Sequence, residues 1–160
     1  MKNYKFISLI VLLFTIATYV NAQNGPCKGD QYVTNADFFR ASASASSSDA
    51  TASKKKAAGS ARTAIVSLVN TKAETAAKSQ SKISGASMTQ LIELIHIAIR
   101  QEAMNMKVIC ENNGQANGKF NTDVVVELVK VNVLTSIISQ VKSDDSLKGS
   151  FEEDKFKQAF

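Results

Sequence analysis

From Phe38 onward the chain alternates, with Phe39, Ala41, Ala43 and Ala45 on one parity and Ser42, Ser44 and Ser46 on the other. A period of two over this length predicts a strand with one buried face, and side chains this small let a helix pack close against it. Ser47, Ser48 and Asp49 then offer N-cap candidates. Beyond them Lys54, Ala57, Ala58, Ala61, Ile65, Leu68 and Lys72 recur at steps of three and four, which predicts a helix reaching Lys78. Its start carries Lys54-Lys55-Lys56, a basic run that opposes the helix dipole at small cost and reads as a solvated face.

After the break at 79–85, Ser87-Met88-Thr89-Gln90 has the form of a capping box. Leu91, Ile92, Leu94, Ile95, Ile97, Ala98 and Ile99 follow, apolar around most of a helix circumference. Such a helix is either well buried or part of an interface. Met106, Val108 and Cys110 alternate with Lys107, Ile109 and Glu111, which predicts a strand. The turn-rich run Asn112–Gly118, with two Asn-Gly pairs, predicts a medium hairpin loop. A further strand follows from Lys119, with Phe120, Val124, Val126 and Leu128 on one parity. Val133, Leu134, Ile137, Ile138 and Val141 predict a third helix, broken at Ser143–Ser146. Ser150–Glu153 is a second capping-box pattern, opening a terminal segment with Phe151, Phe156 and Phe160. The order is strand, two helices, strand, turn, strand, helix.

The N-terminus changes the picture. Met1–Lys5 is positive, Phe6–Val20 is apolar but short and interrupted, and Val20-Asn21-Ala22 ends the run. This is the layout of a signal peptide over 1–22, cleaved before Gln23 and leaving no membrane span. A lipoprotein signal needs cysteine directly after the cut, and Cys27 lies five residues beyond Ala22, so the exported protein is expected without a lipid anchor. The mature chain divides into an extended lead-in at 23–36, an α+β domain at 37–142 and a helical tail at 143–160. Loss of Lys2 and Lys5 takes the 19 Lys and Arg to 17 against 14 Asp and Glu, so the formal charge falls from +5 to +3. A surplus this small and dispersed does not mark a nucleic-acid binder.

Two cysteines remain, and in an oxidising compartment Cys27 and Cys110 are expected to pair. Closing so long a loop stabilises by roughly 4 kcal/mol in the chain-entropy treatment. The sharper alternative, a catalytic thiol at Cys110, needs a histidine, and His96 is the one histidine present. As a metal ligand His96 lacks companions at usable spacing. Asp144, Asp145, Glu152, Glu153 and Asp154 read as turn and helix-start charges. No cofactor is expected.

Several strings, taken in order, carry a resemblance. They are Pro26-Cys27, Phe38-Phe39-Arg40-Ala41-Ser42-Ala43, Ser48-Asp49 before an alanine-rich helix, Lys107-Val108-Ile109-Cys110-Glu111, and Gly118-Lys119-Phe120 before Val124–Leu128. In this series the mature chain resembles envelope proteins of the Lpp-twenty family of Gram-negative bacteria, in the version found in Bacteroidetes-type organisms. The resemblance implies an α+β fold, a small antiparallel sheet covered by long helices, with an envelope location and no established enzymatic chemistry. Lipidated members carry cysteine at the cleavage site; its lack here fits a periplasmic or secreted form.

The function expected is therefore non-enzymatic: a module that binds another envelope protein or self-associates as a homo-oligomer. Leu91 and Ile95 on the apolar helix, with Phe151 and Phe156 on the tail, are the residues expected at its interaction surface. Two other readings stand beside it. One is a carrier holding a small apolar ligand in a pocket lined by Ile, Leu and Val. The other is an Ala/Ser-rich structural protein with little stable sheet. An enzyme would need His96 to meet Cys110 or an acidic residue in a cleft.

Overall fold

The computed structural model describes residues 25–160. The signal segment 1–22 and the expected new N-terminus at Gln23 lie outside the described residues. Strand β1 spans Phe38–Ser47, and helix α1 spans Ala50–Ala77. Asp49 caps α1, its carboxylate accepting the Ala52 N–H at 2.7 Å. The buried stripe of α1 opens with Ser53, Ala57, Ala58 and Ala61 and continues with Ile65, Val69 and Ala73. The small residues come where the helix passes over the sheet, as the alternation of β1 predicts.

Helix α2 spans Gly85–Ala103, two residues before the expected cap, and receives no side-chain cap from Ser84. The expected box at Ser87–Gln90 does not form, because Gln90 turns away to donate to Asp144 Oδ2 at 2.7 Å. Leu91, Ile95, Ala98 and Ile99 are fully buried, where α2 packs against α1 and against helix α3, Lys130–Lys142.

Strands β2 (Lys107–Ala116) and β3 (Lys119–Val129) form a hairpin. The medium loop expected at Asn112–Gly118 is instead a two-residue turn. Asn117 (φ 51°) and Gly118 (φ 70°) both take positive φ, as hairpin turns matched to strand twist require. Asn113-Gly114 stays in β2, where the Asn113 amide oxygen accepts the Thr122 hydroxyl at 2.9 Å. A bulge between Val108 and Cys110 resets the parity. Val108 and Cys110 therefore lie on opposite faces, not on the single face that strict alternation predicts.

The sheet is antiparallel with order β1-β3-β2, so β3 is central and β1 and β2 are the edges. This is the α+β class expected. Thr122, Val124, Val126 and Leu128 of β3 are buried on the helix face, opposite Ala45, Ala43, Ala41 and Phe39 of β1. Ser53 is wholly buried between the layers, its hydroxyl 2.9 Å from Ala45 O and 3.0 Å from Thr122 Oγ1.

The tail folds back as helix α4, Glu153–Ala159. Leu147 and Phe156 join the same core as Phe39 and Leu91. Phe160 meets Phe39 edge-on at 5.9 Å and stacks on Phe156 at 6.0 Å. The capping box expected at Ser150–Glu153 is absent, since α4 has no side-chain cap and the Ser150 hydroxyl donates to Leu147 O. The buried Gln80 does that work from the α1–α2 turn. Its Oε1 accepts the Glu152 N–H at 2.7 Å and its Nε2 donates to Glu152 O at 3.2 Å.

Candidate functional site

The face of the sheet away from the helices is largely polar, with Phe38 and Val129 at one end and Val125 near its middle. Arg40 and Glu127 pair across β1 and β3, Nε to Oε2 at 2.7 Å, with each side chain mostly covered. Ser44 donates to Asp123. Between these groups Val125 is completely buried, in a position that would otherwise face water. The lead-in runs over this face. Cys27 is bonded to Cys110 of β2, as expected, and lies under 4 Å from the Asp123 carbonyl. A short 3-10 turn, Asp30–Tyr32, follows, and Gln31 O accepts the Arg40 guanidinium at 2.8 Å.

The lead-in then wraps onto the outer edge of β1. Lys130 N donates to Asp37 O at 2.9 Å, which fixes the hydrogen-bonding phase of the β1–β3 ladder. By alternation Phe39, Ala41, Ala43, Ala45 and Ser47 turn their main-chain groups toward β3, and Phe38, Arg40, Ser42, Ser44 and Ser46 turn theirs outward. The first two outward residues are satisfied by the lead-in. Asn35 accepts the Phe38 N–H through Oδ1 and donates its own N–H to Phe38 O, both at 3.0 Å. The Thr34 hydroxyl accepts the Arg40 N–H at 2.9 Å and donates to Arg40 O at 3.1 Å. Past Arg40 that protection stops. Among the described residues nothing hydrogen-bonds the main chain of Ser42, Ser44 or Ser46, and all three are exposed.

The two edges differ in how they discourage another strand. Edge β2 has the bulge at Ile109, the charges of Lys107 and Glu111, and a salt bridge from Glu111 to Lys54 at 2.7 Å. The Lys54 ammonium, and then the Asn113 amide, hold the Glu111 carboxyl below its ordinary value. From Ala41 to Ser47, edge β1 has no bulge, no proline and no charged side chain, none of the devices that blunt natural edges.

Helix α1 lies over both β1 and β3. Lys54 and Lys56 stand about 160° apart around an α-helix. Because Lys54 reaches β2, Lys56 lies on the opposite flank, over the free side of β1. Lys55 and Lys56 are exposed and make no salt bridge among the described residues. Ser60 and Ser67 continue the flank with short, exposed side chains.

The residues expected at an interaction surface are not brought together on one. Leu91, Ile95 and Phe156 are fully buried and only part of Phe151 is exposed, 5.5 Å from Phe156. Most of the apolar girth of α2 is covered by α1 and α3, with Ile92, Leu94 and Ile97 left half-buried, and the phenylalanines of the tail close the core of this same chain. His96 pairs with Glu74 across α1 and α2 at 2.9 Å, while Cys110 is committed to the disulfide, so the two do not meet. Two open clefts lie away from the core, one lined mainly by polar groups and one about half apolar, with Met106 and Leu128 in its wall. One lies among Gln101, Glu102, Asn132, Thr135 and Ser139. Another, beside the exposed Met104, runs along Lys107, Val129 and Asn132. No helix among the described residues is long and apolar enough to cross a membrane. The open edge was readable in principle, since it is the outward parity of an uncharged strand, but only the strand order identifies β1 as an edge.

Compared with protein-family models, with curated proteins and with solved structures, the chain matches none.

Proposed function

We propose that the chain is an exported, non-catalytic interaction module of a Gram-negative envelope, of the Lpp-twenty type, that recruits a protein partner by adding a strand to its sheet. The observation that carries this reading is the unprotected run of β1 from Ser42 to Ser46, left open beside an edge the lead-in closes at Phe38 and Arg40. Main-chain pairing of this kind supplies affinity without requiring any catalytic group. The disulfide supports an oxidising compartment. The Ala/Ser tract, which a fibrous protein would leave without stable sheet, is paired with β3 along its whole length.

The test is a photo-crosslinking amino acid placed at Ser44 in the native host, with the same group at Lys78, an exposed residue remote from β1, as control. A discrete adduct formed from position 44 and not from position 78 is expected. Equal, diffuse labelling from both positions would sink the reading.

A further inference from the structure

Strand addition leaves the occupant open, and two features of the structure choose it. An incoming antiparallel strand pairs with the outward N–H and C=O of Ser42, Ser44 and Ser46. Its residues opposite those serines share their face, and the residues between them, opposite Ala43 and Ala45, turn toward the flank of α1. There they meet Lys56, since the hydroxyl of Ser53, one turn earlier on the helix, touches Ala45 O. Lys55 stands about 100° further round the helix, on its solvent side, and neither ammonium has an acidic partner among the described residues.

A second copy of this chain is the obvious occupant, and charge argues against it. Any two-fold pairing of β1 with itself centred on Ala43 or Ser44 lays the two α1 helices side by side and sets Lys56 against the Lys56 of the other copy. Like charges so placed are repulsive. We infer that, if the edge is used as proposed above, its occupant is an extended acidic segment of another protein, with carboxylates at alternate positions facing Lys56 and Lys55.

The inference rests on the strand-addition reading, and the experiment separates the two. The probe is a fluorescently labelled eight-residue peptide alternating valine and glutamate, with a valine–lysine peptide as counterpart, titrated into the disulfide-bonded mature protein. Affinity is read by anisotropy and the site by amide exchange. The acidic peptide is expected to bind at least tenfold more tightly than the basic one, to lose affinity as salt rises, and to slow exchange at Ser42, Ser44 and Ser46. The double change Lys55→Glu and Lys56→Glu, on an exposed helix face that leaves the fold intact, is expected to reverse the preference. Ser44→Pro, which removes one outward N–H, is expected to weaken binding tenfold or more. Protection of the three serine amides with equal affinity for both peptides overturns the acidic occupant and keeps the edge. Tight binding with no protection there overturns both. A dimer that sediments without peptide and is dissolved by Ser44→Pro assigns the edge to a second copy and overturns the inference.

Discussion

Replacing both Cys27 and Cys110 by alanine tests how the lead-in is held. The bridge spans a sequence separation of 83 residues, so it encloses β1, α1, α2 and the start of β2. In the chain-entropy treatment a loop of that length confines the unfolded chain enough to stabilise the fold by about 4 to 5 kcal/mol. Native contacts add little to this. Cys27 is buried, but the lead-in keeps its other anchors, the Thr34 and Asn35 hydrogen bonds to β1 and the Gln31 carbonyl on Arg40. A domain of this size is stable by roughly 5–15 kcal/mol in all, so the loss is a large share. The assay is urea unfolding of the oxidised protein and of the double variant, followed by circular dichroism, with the slopes compared. The expected result is a lower midpoint with the helices and sheet intact before the transition, and faster amide exchange from Gly25 to Tyr32 and at Val125. A loss under about 1 kcal/mol would refute the loop-entropy argument. Unchanged exchange at Val125 would show that the lead-in covers that residue without the bridge.

Other expectations follow from particular contacts. Gln80→Leu strips the Glu152 N–H of its partner and leaves the Glu152 carbonyl only the Phe156 N–H; it should cost about 1–3 kcal/mol and raise exchange in α4 before it does so in β3. Asn70 has a buried side-chain oxygen with no hydrogen-bond partner, so Asn70→Ala should gain about 1 kcal/mol from relief of that group and from helix propensity, read as a higher midpoint. Asp144 is held below its ordinary carboxyl value first by the Ser146 hydroxyl, Glu152 by Lys155 and Glu153 by Lys157. Each therefore contributes stability that is complete above its unfolded value, 3.8 for Asp and 4.5 for Glu, and is lost as pH falls through the lower folded value. Acid titration followed by NMR should loosen 143–160 before the sheet, and a tail unchanged after these groups have taken up protons would contradict it. Intact mass of protein from its native host should begin at Gln23, carry no lipid and yield two thiols only on reduction; a retained signal would overturn the export reading.

Where a sequence pattern reports on its own backbone, it was legible. The two-residue period of β1 and the three-to-four steps of α1 depend on local geometry alone, and Asp49 caps where its position predicts. Signals that depend on a distant partner misled. Gln90 and Ser150 have the spacing of capping boxes, but Asp144 and Leu147 compete for them. Of two Asn-Gly pairs only the second turns, because Asn113 is claimed by Thr122 in the next strand. Leu91, Ile95 and Phe156 have the apolar character of an interface, and composition does not distinguish an interface from a core. The disulfide was read from compartment and count. The open edge needed the strand order, which no local pattern encodes.

The strand that completes the sheet is the last one synthesised. Ser47 pairs with Phe120 and Phe38 with Val129, so β1 has no neighbour until almost the whole chain exists. The helices can form from local contacts, but the sheet has to wait, and long-range pairing of this kind is slow. A chain delivered N-terminus first thus carries β1 without its partner strand, and past Arg40 with both sides unpaired, until β3 has been delivered. Valine or isoleucine at the outward positions would make that wait hazardous, because an uncharged segment of high β-propensity is the usual seed of aggregation. Serine at positions 42, 44 and 46 makes β1 a weaker strand, and that weakness lets it remain single until β3 arrives.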